Sequence, residues 1–290
     1  MATTRRKLSK LIEQSIKAQP LNKAFLMDLM SAIERRDQKY RRKPSQYYKP
    51  SSFVCLRQMY FMRIGEEPDN IRTEYNAIGM ADTGTRRHEA IQEVLLEMDE
   101  MGYDWKYVDV EDYLKEKWAE QKCLTIKVRG KKGAETRLFD EALQISFMCD
   151  GIIQRKSTGQ YYLFEFKNQV SFKYATKVST YNSTKDELGN YTEHSKIDGP
   201  HVDADHIAQV SCYCMALDLD QAFVVYENRD VCTLECPEVL TVTEEMKSAC
   251  SSKIFECDSY VEKMIPPPPH DTNKPCRWCS YQTACRKAGK

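Results

Sequence analysis

The chain has no apolar run near the roughly 20 consecutive residues that a bilayer-spanning helix needs, so a helical membrane protein is excluded as an expectation. Its first twenty residues are basic and contain no apolar h-region, so no secretory signal is expected there. Net charge is missing too: 43 Lys and Arg balance 43 Asp and Glu over 290 residues. No internal repeat is visible, which sets aside solenoids and propellers. Apolar residues at 41% and charged residues at 30% describe a soluble globular chain. That composition is too apolar for a disordered one, and the length allows one large domain or two modest ones.

Cysteine is plentiful, with 12 residues. A disulfide framework fits short secreted chains, so a reducing compartment, the cytoplasm, is the expectation here. Clustered cysteines then point to metal binding and scattered ones to core packing. The zero net charge is an average over unlike regions. Residues 1–50 carry 13 Lys and Arg against 4 Asp and Glu, a local +9 that leaves −9 for the rest. Such an arm suits an anionic partner, nucleic acid foremost, although a solvated basic helix has the same composition.

Apolar spacing predicts helix from Ser9 to Arg36, broken at Pro20. A second helix is expected over 53–63, carrying Cys55 and capped by Lys49-Pro50-Ser51-Ser52. A third is expected over 85–101, with His88, Ile91, Val94, Leu95 and Met98 inward and Glu89 outward. Residues 97–122 read as an acidic surface segment. Strands are expected over 124–128, 143–154 and 161–167, then a long polar loop over 171–203 of the kind that orders on binding. A helix over 204–217 leads into strand 221–226, a turn at Asn228-Arg229-Asp230 and strand 231–235. A last helix over 243–264 ends at Pro266–Pro269, ahead of a cysteine-rich tail. The fold class is α/β, with a mixed central sheet flanked by helices and an N-terminal helical region. The expected divisions are a basic arm over 1–50, a core over 51–265 that includes a helical region over 51–122, and a tail over 266–290.

Asp150 sits inside the apolar stretch Ile145–Ile153 and Glu165 inside another, Tyr161–Lys167. If Lys156–Gly159 form a four-residue loop, Asp150 stands opposite Glu165 with Cβ atoms ~5 Å apart, and Lys167 shares the face of Glu165. A five-residue loop would spoil that alignment. Two adjacent carboxylates in apolar strands are costly without a cation, and hard oxygen donors suit Mg²⁺ or Mn²⁺. An exposed hairpin with cross-strand ion pairs is the plainer alternative. His88 can supply a further ligand or be a structural core histidine. His206, Gln209 and Tyr213 form one helical stripe, which on structural grounds alone is an amphipathic helix covering a sheet. Cys276, Cys279 and Cys285 form a compact trio whose fourth tetrahedral ligand is best supplied by Cys55; zinc and iron–sulfur both accept such a set. Cys149, Cys212 and Cys214 are expected to pack in the core.

The hairpin resembles the active site of the PD-(D/E)XK nuclease superfamily, with Asp150, Glu165 and Lys167 matching its Asp, Glu and Lys. Cys149 stands where that pattern often has proline. His88 and the Gln209-x3-Tyr213 helix are similar to the RecB-like branch, where the histidine ligates the metal and the glutamine and tyrosine support the site. Together with the cysteine set, the whole resembles the CRISPR-associated and phage iron–sulfur exonucleases over residues 50–290. The resemblance implies a restriction-endonuclease-like core with a C-terminal iron–sulfur tail. It implies Mg²⁺ or Mn²⁺ at His88, Asp150, Glu165 and the Phe166 carbonyl, and a structural [4Fe–4S] cluster on Cys55, Cys276, Cys279 and Cys285. The implied activity is exonucleolytic cleavage of single-stranded DNA ends in the 5′→3′ direction. A structure-specific endonuclease and a non-catalytic DNA-end-binding accessory protein are the alternatives. The basic arm, with Tyr47 and Tyr48, would guide the strand by phosphate contact and stacking. A helicase, integrase or recombinase partner, or self-association, would fit the arm and the 171–203 segment.

Overall fold

The computed structural model describes residues 21–40, 45–69, 74–120, 126–129, 137–175, 180–185, 191–198, 201–269, 276 and 279–289. The helix expected ahead of Pro20 and the basic run 41–43 lie outside the described residues. The chain divides into two units, one of Met1–Lys43 with Asn70–Thr83, the other of Pro44–Asp69 with Gly84–Lys290. In chain order the helices are α1 (Leu21–Tyr40), α2 (Leu56–Arg63), α3 (Tyr75–Glu97), α4 (Val110–Glu120), α5 (Ser171–Tyr174), α6 (Ala204–Leu217), α7 (Glu244–Lys263) and α8 (Gln282–Lys287). The strands are β1 (Trp105–Val108), β2 (Ile126–Arg129), β3 (Arg137–Asp140), β4 (Ile145–Phe147), β5 (Gly151–Arg155), β6 (Tyr161–Gln169), β7 (Thr180–Lys185), β8 (Tyr191–Asp198), β9 (Gln221–Asn228), β10 (Leu234–Glu235) and β11 (Val239–Thr241). The fold is α/β, a mixed central sheet flanked by helices, with a helical N-terminal region. No described helix is long and apolar enough to cross a membrane.

The first unit holds α1 and the opening turns of α3, where the Tyr75 N–H donates to Glu34 Oε1 at 3.0 Å. In the second unit the central sheet runs β1-β5-β6-β9-β10, with β11 also on β9. Among the described pairings of this sheet only β6 and β9 are parallel, in a register from Leu163↔Ala222 to Gln169↔Asn228. Parallel neighbours need a crossover, and α6 supplies it. The other pairings are antiparallel. A second sheet, β2-β3-β4, stands beside the central one, and β7 pairs with β8 alone among the described strands.

Strand β6 reads YYLFEFKNQ and buries Leu163, Phe164, Glu165 and Phe166. Such a run marks a central strand covered on both faces. Leu163 joins the main core, with Val210, Tyr213 and Leu217 of α6, Ala222 and Val224 of β9, and Ile254 and Cys257 of α7. Phe164 and Phe166 join Leu95 and Ile153 in a smaller cluster on the opposite face. Alternation therefore sets Glu165 and Lys167 toward α6. Cys149, Cys212 and Cys214 are buried in the main core, as expected of packing cysteines.

Several elements depart from the sequence reading. Residues 53–63 do not start a helix at Phe53: Pro50–Ser52 make one 3₁₀ turn, and Cys55, extended at φ −139°, is the N-cap of α2 and not a residue within it. The acidic 97–122 stretch is not only surface, because it forms β1 and α4, whose Tyr113 and Leu114 are fully buried. Val94 lies on the exposed side of α3. The 143–154 run is two strands in two sheets, since the chain changes sheet between Phe147 and Gly151. The 171–203 segment contains α5 and the β7–β8 hairpin in place of a loop. Tyr48 cannot stack on a base: it is fully buried and its hydroxyl donates to Asp258 Oδ1 at 2.5 Å.

Candidate active site

The β5–β6 turn sets the site. Gln154 pairs with Tyr161 and Gly151 with Phe164, and Arg155 N–H donates to Gln160 O at 2.9 Å, so 156–159 is a four-residue connection. Gly159 takes the left-handed conformation there, φ +72°. Continuing the register one step puts Asp150 opposite Glu165, the alignment that the four-residue loop predicts. Both are buried, with 8% and 3% of their surface exposed.

Asp150 is held on every side. Its Oδ2 accepts the Phe166 backbone N–H at 2.7 Å, and its Oδ1 lies 2.9 Å from His88 Nδ1. Its carbonyl accepts Gln92 Nε2 at 2.8 Å. His88 and Gln92 are one helical turn apart on α3, so one helix face reaches both ends of the aspartate. Burial alone would lower the imidazole pKa of His88; the bond to Asp150 and the charges of Asp150 and Glu165 outweigh it and hold the group above its ordinary value. His88 also packs edge-on against Phe166, ring centroids 5.1 Å apart.

Glu165 faces the other helix. Its Oε1 accepts Lys167 Nζ at 2.6 Å and Gln209 Nε2 at 3.0 Å. Gln209 Oε1 accepts from Lys167 Nζ at 3.1 Å, and its amide also donates to the Tyr213 hydroxyl at 2.7 Å. Tyr213 stacks on Phe147, and burial, followed by the nearby Glu165 charge, keeps its phenol protonated. Glu165 Oε2 is buried with no hydrogen-bond partner among the described residues. Burial, the largest influence, pushes the Glu165 carboxyl above the usual carboxylate range; Asp150 adds to this and Lys167 opposes it. The structure thus joins Asp150, Glu165, Lys167, Gln209 and Tyr213 in one network, with His88 at its Asp150 end. His206 stands at the edge of that stripe and bonds Tyr226, its Nδ1 2.8 Å from the hydroxyl.

Residues missed by sequence reasoning surround this network. Gln92 was signalled by its i+4 spacing from His88. Glu227, fully buried, receives Arg87 Nε at 2.8 Å and Arg87 Nη2 at 2.6 Å, and Asn168 Nδ2 at 2.7 Å. This ion pair fastens the helix turn carrying His88 to the ends of β6 and β9. A pairing across 140 positions leaves no local signature.

The donor set suits a hard divalent ion in kind: two apposed buried carboxylates, an imidazole and an unsatisfied carboxylate oxygen. Among the described residues no three His, Cys, Asp or Glu side chains converge as a metal-binding group. Asp150 is instead engaged by His88 and Phe166, and Glu165 by Lys167 and Gln209. Phe166 contributes its N–H to Asp150.

Cys55 and Cys279 lie within electrostatic reach of the other tail-site cysteines, which among the described residues do not converge as a metal-binding group. Burial raises the Cys55 thiol, the backbone N–H groups of Gln58 and Arg57 oppose this, and Cys276 and Cys285 add to it. Burial likewise raises Cys279, the Tyr281 N–H opposes it, and Cys55, Cys276 and Cys285 add to it. Buried Arg57 donates to Pro267 O at 2.8 Å, Gly289 O at 2.8 Å and Cys285 Sγ at 3.4 Å. A donor aimed at sulfur suits a thiolate ligand. The Pro275 and Trp278 positions of this tail lie outside the described residues.

No family model matches the chain, and no curated protein matches it. The solved structure of SSO0001 aligns with 91% of this chain and 97% of its own, at 12% identity and a TM-score of 0.44.

Proposed function

We propose that the protein is a divalent-cation-dependent DNA exonuclease of the PD-(D/E)XK type that works from single-stranded ends with 5′→3′ polarity. The observation that carries this reading is the apposition of Asp150 and Glu165 beside Lys167, with Glu165 Oε2 buried and unpartnered among the described residues. Asp150 and Glu165 would hold Mg²⁺ or Mn²⁺, aided by His88 and the Phe166 carbonyl. When bound, such an ion would supply Lewis acidity toward the scissile phosphate and the attacking water. The chain's own groups do the rest. Lys167 Nζ, fixed between Glu165 and Gln209, orients the attacking water or offsets the charge that grows on the phosphate oxygens. Gln209 and Tyr213 keep Lys167 and Glu165 in register. His88 and the Phe166 N–H hold the Asp150 carboxylate in place. The cysteine set would hold a [4Fe–4S] cluster with a structural role, in a cytoplasmic protein.

The test uses anaerobically purified protein, Mg²⁺ or Mn²⁺, and end-labelled linear and closed circular single-stranded DNA. Linear DNA should be degraded from its 5′ end, and circles should survive. Asp150→Ala should abolish cleavage. Cleavage of circles sinks the exonuclease reading, and full activity in Asp150→Ala sinks the site assignment. A colourless preparation containing zinc and no iron sinks the cluster.

A further inference from the structure

Strand β4 carries the chain toward Asp150, which follows Phe147 by three residues, and its two faces have different neighbours. On the inner face Phe147 stacks on Tyr213 of the network, ring centroids 5.2 Å apart. On the outer face the pairing of three segments gathers a second set of side chains. Strand β3 runs antiparallel to β4, with Phe139 opposite Ser146 and Leu138 opposite Phe147. Leu138 and Asp140 are buried, while Arg137 and Phe139 are half-buried. Residues 47–49 follow the other edge of β4. Tyr48 bridges Ile145 in parallel, its N–H donating to Gln144 O and its carbonyl accepting the Ser146 N–H, both at 2.8 Å. Tyr48 and Ile145 are fully buried. Side chains alternate along an extended chain, so Tyr47 and Lys49 share the outer face with Ser146, Arg137 and Phe139.

Contacts match this sorting. The Tyr47 and Phe139 rings meet edge to face, centroids 5.2 Å apart at 75°. Arg137 Nη1 donates to Ser146 Oγ at 3.5 Å. Lys49 is an exposed residue, yet its pKa is lowered, first by partial burial of its ammonium and then by the charge of Arg137. The two cations therefore stand close enough to repel each other. Among the described residues neither pairs with a carboxylate. Other exposed cations do: Arg155 lies 3.0 Å from Asp104 and Lys156 lies 2.7 Å from Asp99.

We propose that the Tyr47/Lys49/Arg137/Phe139 face is a contact surface for single-stranded DNA beside the Asp150–Glu165 site. Two adjacent cations without a carboxylate of their own call for an anion, and a nucleic-acid backbone supplies successive ones. The two rings beside them accept bases by stacking, without regard to sequence. A solvated basic turn would carry the cations without the rings, and an apolar docking patch the rings without the cations. Position fits as well. Four residues separate Ser146 from Asp150, so their Cα atoms are at most about 14 Å apart, and a bound strand has a short way to run to the carboxylates. The proposal rests on the nuclease reading for the strand's destination, though binding itself requires no cleavage.

The experiment measures fluorescence anisotropy of a 5′-labelled oligothymidine of about 20 nucleotides with the full anaerobically purified chain in EDTA, where cleavage cannot interfere. Tyr47→Ala with Phe139→Ala should weaken binding on the order of tenfold or more, and Tyr47→Phe with Phe139→Tyr should keep it, because stacking needs the ring. Lys49→Gln with Arg137→Gln should reduce the slope of log affinity against log salt by about 1.4, from about 0.7 per phosphate. Arg155→Gln with Lys156→Gln, which removes cations already paired with carboxylates, should leave that slope unchanged. Unaltered binding in the alanine pair, an unaltered slope in the glutamine pair, an equal loss of slope in the paired-cation control, or no binding by the wild type overturns the proposal. Binding to phosphatidylglycerol vesicles through the same residues, with none to the oligonucleotide, makes the face a membrane contact and overturns it likewise. If the alanine pair loses its circular dichroism signature, the glutamine pair decides the outcome. A chain that shows this binding pattern but never cuts DNA defeats the nuclease reading and spares the surface. A chain that cuts DNA while the alanine and glutamine pairs bind normally does the reverse.

Discussion

Glu165 is held where its own charge is unwelcome. Burial and the neighbouring Asp150 raise its pKa in the folded state, so its contribution to stability is fully present below the unfolded value and is lost as pH rises through the folded one. Glu165→Gln should therefore melt above the wild type at pH 8 in EDTA while losing activity. That gap should narrow as pH falls toward 5, and thermal melts by circular dichroism across that range check it. An unchanged gap would mean that the carboxylate is relaxed. Gln92→Ala tests the support behind Asp150: with the carbonyl contact removed, metal affinity or activity should fall by about 10- to 100-fold while the melting temperature shifts little. Titration calorimetry with Mn²⁺ reads the first quantity directly. At this scale much was legible. The period of two put Lys167 beside Glu165, and the four-residue turn set Asp150 opposite. Arg87–Glu227 was not, because a helix-to-strand contact depends on how α3 docks, which spacing along the chain does not encode.

Among the elements, β5 begins under a tight constraint. A Cβ on Gly151 would stand 2.7 Å from Tyr107 Cε2 on β1. Its backbone angles suit any residue, so the glycine is there for the close approach. Gly151→Ala must displace either the tyrosine ring or the first residue of β5, which follows Asp150 directly. We expect a loss of about 1–3 kcal/mol, read by urea unfolding, together with reduced cleavage. Adding Tyr107→Leu should recover much of the stability. Element recognition succeeded where patterns were strong: α6 matches the expected 204–217, and α7 the 243–264 helix to within a residue at each end. It failed where polar composition masked pairing, in β7–β8. It failed again where charge masked burial, in α4, whose Tyr113 and Leu114 hide among acidic neighbours. The 143–154 run misled because one apolar stretch served two sheets.

At the scale of the whole second unit, the early and late parts of the sequence are tied together. Arg57 on α2 holds the carbonyls of Pro267, Cys285 and Gly289, and Tyr48 holds Asp258. Arg57→Leu strips partners from several groups at once and should cost about 1–3 kcal/mol. The cost should persist after removal of the iron that the cysteine set is proposed to hold, which separates Arg57 from the proposed ligands. Guanidinium unfolding of iron-loaded and iron-free protein makes the comparison. The Cys276-x2-Cys279-x5-Cys285 spacing drew attention to the tail, but an arginine is too common on helices to stand out.

The Arg57 contacts also bear on how the protein is made. A ribosome releases α2 more than two hundred residues before the carbonyls that satisfy it. Until they emerge, a growing chain carries a guanidinium without its partners and a tyrosine without Asp258. Domains that begin folding during synthesis would here stall one step short of completion. A chain broken off before residue 267 leaves a charge facing an unfinished apolar wall, the kind of defect that chaperones and proteases detect. Only a copy translated through Gly289 satisfies Arg57 in the second unit.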